Sequence, residues 1–200
     1  MTDRFDTIDR ISELLVHLGR ASRTEGSQAD LTTAQWTCLR FFARANASTR
    51  TPSAFASFQA TTRGTASQII KTLECRDLIA RHRSLSDGRS VRFDLTGPGR
   101  ALISRDPLGE LNGLLGAFDA AEREAFLATL SRLATSLADL KNARAFGTCR
   151  DCIHFTPTGD GGFCTCMAVD LGADQVDKLC GSYRGPAGSP PRLQTARTYQ

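Results

Sequence analysis

The stretch that decides the fold is residues 78–96: Leu78-Ile79-Ala80-Arg81-His82-Arg83-Ser84-Leu85-Ser86-Asp87-Gly88-Arg89-Ser90-Val91-Arg92-Phe93-Asp94-Leu95-Thr96. Residues 78–83 and 90–95 read as two strands, with Ser86-Asp87-Gly88-Arg89 as the turn between them. Asp-Gly between strand-like runs is a hairpin signal, because Gly takes positive φ without steric cost. Both arms and the tip carry arginine: Arg81, Arg83, Arg89 and Arg92. A basic hairpin of this kind neutralises phosphates, and Arg89 at its tip is placed to enter a minor groove.

Upstream, the spacing predicts a helix from about Thr62 to Arg76 whose apolar face is Ala66, Ile69, Ile70 and Leu73. The opposite face carries Arg63, Thr65, Ser67, Gln68 and Lys71. Small residues let a helix backbone sink into a major groove, where Gln, Arg and Lys reach base edges or phosphates. A solvated face on an ordinary surface helix is the competing reading of the same pattern. Ser53 is positioned to cap a short preceding helix over residues 54–58, with a turn at Gln59-Ala60-Thr61. Short helix, tight turn, second helix and basic hairpin together predict a winged helix-turn-helix. The candidate DNA contacts are Thr62, Arg63, Thr65, Ser67, Gln68 and Lys71 on the helix, with Arg81, Arg83 and Arg89 on the wing.

Further out, Phe5, Ile8, Ile11, Leu14, Leu15 and Leu18 recur at helical spacing up to about Arg23, before a break at Gly26-Ser27. Thr32 and Gln35 form a capping-box signature, followed by Trp36, Leu39, Phe42 and Ala43 on one face. Thr96 caps the helix after the wing, with Pro98 in its first turn. Leu108, Leu111, Leu114, Leu115 and Phe118 come next. Asp119-Ala120-Ala121-Glu122 then opens a long helix bearing Phe126, Leu127, Leu130, Leu133, Ala134, Leu137 and Leu140. Such stripes serve either intrachain packing or a subunit interface.

Asp87-Gly88-Arg89-Ser90, followed by Val91-Arg92-Phe93-Asp94-Leu95-Thr96 and Gly99, resembles the wing signature of the MarR family of winged-helix regulators; so do Leu73-Glu74, Leu78-Ile79 and Arg81 before it. The resemblance covers roughly residues 5 to 145. It implies that Arg89 contacts DNA and that Asp87 helps to hold the wing. It also implies that the first and last helices of two subunits interlock in a homodimer, which would present two recognition helices to a pseudo-palindromic operator in double-stranded DNA. A small-molecule effector is a further partner to expect. Cys75-Arg76-Asp77 departs from the family pattern, which carries a basic residue and Gly before the strand.

Beyond Gly147-Thr148 the composition changes. The chain has seven cysteines, and five fall in the pattern Cys149-x2-Cys152-x11-Cys164-x-Cys166-x13-Cys180. Too little apolar surface surrounds them to fold by burial alone, so the segment needs a staple, and a metal supplies one. Cys149, Cys152, Cys164 and Cys180 are the favoured ligands, with Cys166 a spare or a substitute for Cys164, and His154 a weaker candidate. Four thiolates serve zinc or an iron–sulfur cluster equally; disulfides come third. Cys149-Arg150-Asp151-Cys152-Ile153-His154-Phe155, Gly162-Phe163-Cys164 and Cys180-Gly181-Ser182-Tyr183 resemble the small high-potential-type [4Fe–4S] modules that serve some glycyl-radical enzymes as accessory subunits. That resemblance implies a [4Fe–4S] cofactor, with Zn2+ as the alternative, and a redox or iron response. Cys38 and Cys75 fall in helical segments and read as small buried hydrophobes before peroxide-sensing thiols.

The expected class is therefore mainly α with a small β wing (α+β). Residues 1–147 form the DNA-binding and dimerisation domain, 148–184 the cysteine module and 185–200 a disordered tail. The net charge of +4 is modest, but residues 61–105 hold nine Lys/Arg against four Asp/Glu, whereas residues 149–184 hold three against five. That asymmetry sets a basic middle against an acidic appendage. No basic n-region opens the chain and no run of eighteen apolar residues spans a membrane. A reducing cytoplasm is the expected compartment, and no membrane partner is expected. Three histidines, with no phosphate loop, no Ser/His/Asp grouping and no paired carboxylates, argue against an enzyme; the family resemblance implies a sequence-specific transcription regulator, with repression favoured. An electron-transfer or accessory subunit carrying the cluster is the alternative.

Overall fold

The computed structural model describes residues 6–22, 30–83 and 91–185. The hairpin tip with Asp87 and Arg89, the break at Gly26-Ser27, and the tail from residue 186 lie outside the described residues.

The first helix, α1 (Thr7–Ala21), is capped by the Asp6 carboxylate, which accepts from the Ile8 and Asp9 amides. In α2 (Thr33–Arg44) the capping box forms as expected: Thr32 accepts from the Gln35 amide, and Gln35 returns a bond to the Thr32 amide. The short α3 (Pro52–Phe58) is capped by Thr51, not by Ser53 as expected. Proline at the first helical position moves the cap two residues upstream, where the Thr51 hydroxyl accepts from the Ala54 amide at 3.2 Å. The recognition-helix candidate, α4 (Arg63–Cys75), follows after a turn in which Ala60 takes φ +50°. Strands β1 (Ile79–Arg83) and β2 (Val91–Leu95) pair antiparallel with Ile79 opposite Leu95 and Arg83 opposite Val91. After them come α5 (Gly97–Ile103), capped by Thr96, then α6 (Gly109–Gly116) and α7 (Ala120–Leu140), the last opened by the expected Asp119/Glu122 capping box. The described part of the chain is thus mainly helical with a small antiparallel wing.

The core sits between α2, α3, α4 and the wing: Phe41, Phe42, Phe55, Leu39, Leu73, Ile79 and Cys38 are its fully buried side chains. Each large apolar side chain contributes roughly 1.5–3 kcal/mol by leaving water. The helical periodicity placed Trp36, Leu39 and Phe42 correctly. It left out Phe41 and Cys38, which are buried because α2 is covered on more than one side, while Ala43 is only half-buried. Gly99 is required where α5 crosses the start of the wing, since a Cβ there would lie 2.0 Å from the Leu78 carbonyl oxygen.

In contrast, α1 and α7 bury no residue. Their stripes are open, with Ile8 72%, Leu127 62% and Leu140 61% exposed.

The cysteine segment has a structure of its own that periodicity did not announce. A 3-10 turn (Cys149–Asp151) leads into an antiparallel sheet in the order β3 (Phe155–Thr158), β4 (Gly161–Cys164), β5 (Val169–Leu171), and a one-turn helix α8 (Ala173–Val176) follows.

The departure at Cys75-Arg76-Asp77 has a clear local outcome. Asp77 adopts φ +53°, the left-handed conformation usual for glycine at a helix C-terminus, while the Leu78 amide bonds back to the Leu73 carbonyl. Asp77→Gly relieves that strain and is expected to stabilise the fold by about 0.5–1 kcal/mol, raising Tm by about 2–4 °C. Calorimetry checks this; an unchanged or lower Tm contradicts it.

Candidate nucleic-acid interface and cysteine cluster

The register of α4 is set by its buried side. Ala66, Ile70 and Leu73 are almost completely buried, which turns Arg63, Thr65, Ser67, Gln68 and Lys71 outward into solvent. Thr62 is also exposed but acts as the N-cap: its hydroxyl accepts from the Thr65 amide at 3.2 Å and pairs with the Thr65 hydroxyl at 2.9 Å. Two of the candidate contacts are thus partly committed to holding the helix start. On β1, Arg81 and Arg83 are exposed beside this face. Arg92 on β2 is half-buried and engaged by other groups. Asp87 and Arg89 cannot be placed, being outside the described residues.

The wing is held from below by the polar turn that joins α2 to α3. The Phe93 amide donates to the Arg50 carbonyl at 3.0 Å, and the Arg50 guanidinium pairs with Asp94. His82 lies 3.7 Å from the same carboxylate. Asn46 and Thr49, in the turn preceding Arg50, are buried polar residues; the Asn46 carboxamide accepts from the Thr49 amide at 2.9 Å.

The cysteines divide by environment. Cys149, Cys164 and Cys180 are buried, Cys152 is half-buried, and Cys166 is exposed. None is in a disulfide. Burial pushes the Cys149 thiol up to about 11, and the neighbouring Cys180, Cys164 and Cys152 add to that in decreasing order. Those four favoured residues therefore share one neighbourhood. Among the described residues, however, no three His, Cys, Asp or Glu side chains are drawn into a ready-made ligand set. The thiols are neighbours rather than a closed cage. Their donor chemistry fits a thiophilic ion or cluster: bound positive charge would offset the burial, and with it the neighbouring charge, that raise the Cys149 thiol. The Cys152 sulfur already accepts the Arg184 amide at 3.5 Å, a bond that strengthens when the sulfur carries negative charge.

Several contacts brace this neighbourhood. The Cys180 amide donates to the Gly147 carbonyl at 2.8 Å. The Tyr183 ring packs over Gly147, where a Cβ would come within 2.6 Å of it. Burial raises the Tyr183 hydroxyl above its ordinary range, partly offset by its bond to Thr135 of α7. Arg150 pairs with Asp177, which holds the Asp177 carboxyl below its usual range. A cleft of about 630 Å³ lies where this segment meets α2, lined by Phe41, Phe58, Leu108 and Leu179 with Arg44 and Lys178 at hand.

Residues 29–90, spanning α2 to the wing tip, match the sequence profile of the MarR family. The fold is similar to that of MepR from S. aureus in a crystal structure with DNA: TM-score 0.54, 21% identity, covering 68% of this chain and 99% of that one. It is also similar to a crystal structure of a MarR family transcription regulator: TM-score 0.51, 22% identity, covering 68% and 90%. At these identities the likeness establishes the winged-helix fold, and the remainder of the chain lies outside both matches. No curated protein matches the chain in sequence. Among the described residues no helix is long and apolar enough to cross a membrane.

The remaining thiols differ sharply. Cys38 is fully buried in α2, and burial raises its pKa far above the ordinary thiol value; Cys75 is exposed at the end of α4. Iodoacetamide at pH 8 is therefore expected to alkylate Cys75 and Cys166 in the native protein and to spare Cys38 until the fold is denatured, since only a thiolate attacks. Peptide mass spectrometry reads this out, and native labelling of Cys38 as fast as Cys75 contradicts it.

Proposed function

We propose that the protein is a homodimeric, sequence-specific transcription regulator, acting as a repressor, that docks α4 into the major groove and the wing into the adjacent minor groove. The carrying observation is the sidedness of α4: a fully buried Ala66/Ile70/Leu73 edge backs an outer face of Arg63, Thr65, Ser67, Gln68 and Lys71, with Arg81 and Arg83 alongside. That face is small, cationic and rich in hydrogen-bonding groups, which suits phosphate and base-edge contact. The DNA complex of the structurally similar S. aureus MepR supports the same reading here.

The open apolar stripes of α1 and α7 support a two-fold dimer in which these helices cover one another. Such a dimer sets two recognition helices on the half-sites of a pseudo-palindromic operator. The cleft beside α2 has the volume and apolar lining of a small-molecule effector site.

Cys149, Cys152, Cys164 and Cys180 would hold a [4Fe–4S] cluster, which supplies sensitivity to oxidants or iron supply; Cys166 is the outlier by exposure. Zinc on the same thiols, serving as a structural staple, is the second reading, favoured by the small size of the segment. Metal analysis and absorbance of anaerobically purified protein separate them. A broad visible band with stoichiometric iron and sulfide supports the cluster. A colourless zinc protein overturns it. Serine at any of the four favoured positions is expected to lower bound metal, whereas Cys166→Ser leaves it unchanged.

For DNA, Arg89→Ala is expected to weaken binding to all sequences and to reduce the salt slope by about 1, whereas Gln68→Ala relaxes base preference at a cost of about 1–3 kcal/mol. Titrations at several salt concentrations test both. Unchanged binding in both variants overturns the contact assignment.

A further inference from the structure

The turn between α2 and α3 is bonded on both sides, and the two sides lead to different ends of the molecule. On one side the Leu179 amide donates to the Arg44 carbonyl at 2.8 Å, and the Asn46 amide donates to the Leu179 carbonyl at 2.9 Å. The Gly181 amide then donates to the Thr49 hydroxyl at 2.9 Å in a buried setting, across 132 residues of sequence. These bonds bracket Cys180. On the other side, Arg50 receives the Phe93 amide on its carbonyl and pairs its guanidinium with Asp94. Phe93 stands opposite Arg81 in the wing register. Two hydrogen bonds and one strand pairing therefore lead from Cys180 to Arg81.

We infer that residues 46–50 link the cysteine module to the wing, with Thr49 the positioning residue that lets the state of Cys180 set the seating of Arg81 and its strand. The inference rests on the metal reading above for its trigger, though the link itself is made of bonds within this chain. A metal on Cys180 fixes that residue's backbone, and with it the direction of the Gly181 N–H. Thr49 and Asn46 are both buried, so the turn they form cannot exchange these partners for water at little cost. When the metal leaves, the Cys180 side chain loses its tether and the Gly181 N–H shifts away from Thr49. Thr49 then loses its donor, the 46–50 turn loosens, and the Arg50 carbonyl no longer holds Phe93. The wing loses its seat while α4 keeps its own core contacts, so DNA affinity falls without unfolding of the helix-turn-helix.

Amide exchange followed by NMR on the full chain tests the link directly. Thr49→Val removes the hydroxyl acceptor and keeps the shape, while Thr49→Ser keeps the hydroxyl. The expected result is Phe93 exchange accelerated about tenfold or more in Thr49→Val and near wild type in Thr49→Ser. The Thr96 amide, bonded to the Leu78 carbonyl at the base of the same hairpin, should be unmoved in both. Phe93 exchange unchanged in Thr49→Val, or Phe93 and Thr96 accelerated together, overturns the inference. The second arm uses a duplex enriched by the wild-type protein from a random-sequence library. Chelation should weaken wild-type binding about tenfold, and Thr49→Val should bind equally weakly with and without metal. A Thr49→Val protein that keeps the wild-type metal dependence also overturns the inference. Failure of the metal reading shows separately, as purified wild-type protein without stoichiometric metal, and the exchange arm decides the link in that case too.

Discussion

The ring of Phe41 is the contact on which the rest of the arrangement depends. It lies 5.4 Å from Phe42, 5.6 Å from Phe55, 5.1 Å from Phe58 and 6.3 Å from Phe146, centroid to centroid. Phe55 and Phe58 belong to α3, so this ring fixes α2 against the first helix of the helix-turn-helix and thereby aims α4. Phe146 also meets Phe58 edge-on at 5.2 Å, three residues before the first cysteine of the module. One aromatic cluster therefore sets both the placing of α4 and the entry of the cysteine segment. Aromatic pairs in these geometries add about 0.5–1.5 kcal/mol each beyond their area burial.

From that anchor two opposite surfaces emerge. Around α4 and β1 the exposed groups are cations, hydroxyls and an amide, with their apolar partners turned entirely inward. Along α1 and α7 the apolar groups face out, and among the described residues none buries them. A finished polar face and an open apolar face are what the proposed dimeric DNA-binding role calls for. The cysteine segment leaves Ile153, Phe163, Met167 and Val169 exposed and buries little besides its thiols and Val176. What orders it is its docking onto the 44–49 backbone and Phe146, together with whatever its thiols hold.

Much of the fold was legible because local chemistry and global packing agree there. Thr32/Gln35, Thr96 and Asp119/Glu122 each cap the helix their spacing announces, and the two wing strands pair as the sequence around Asp87-Gly88 implies. The α3 cap was misread because Ser53 competes with Thr51, and Pro52 decides between them. Asp77 escaped because a left-handed aspartate has no sequence mark comparable to glycine. The short strands of the cysteine segment, broken by Gly161 and Gly162, carry no alternation to read. At the site, the outward face of α4 was visible in its periodicity. The part played by Asn46, Thr49 and Arg50 was not, since their partners lie 132 and 44 residues away and a polar turn looks the same whether or not it holds anything.

The most direct measurement of the central claim is methylation interference on a duplex enriched by the wild-type dimer. Recognition helices delivered in pairs by a two-fold dimer predict interference at guanine N7 in two major-groove segments about one helical turn apart, on the same face of the duplex. Interference confined to a single segment would contradict the paired delivery, and none at guanine N7 would contradict the placing of α4 in the major groove.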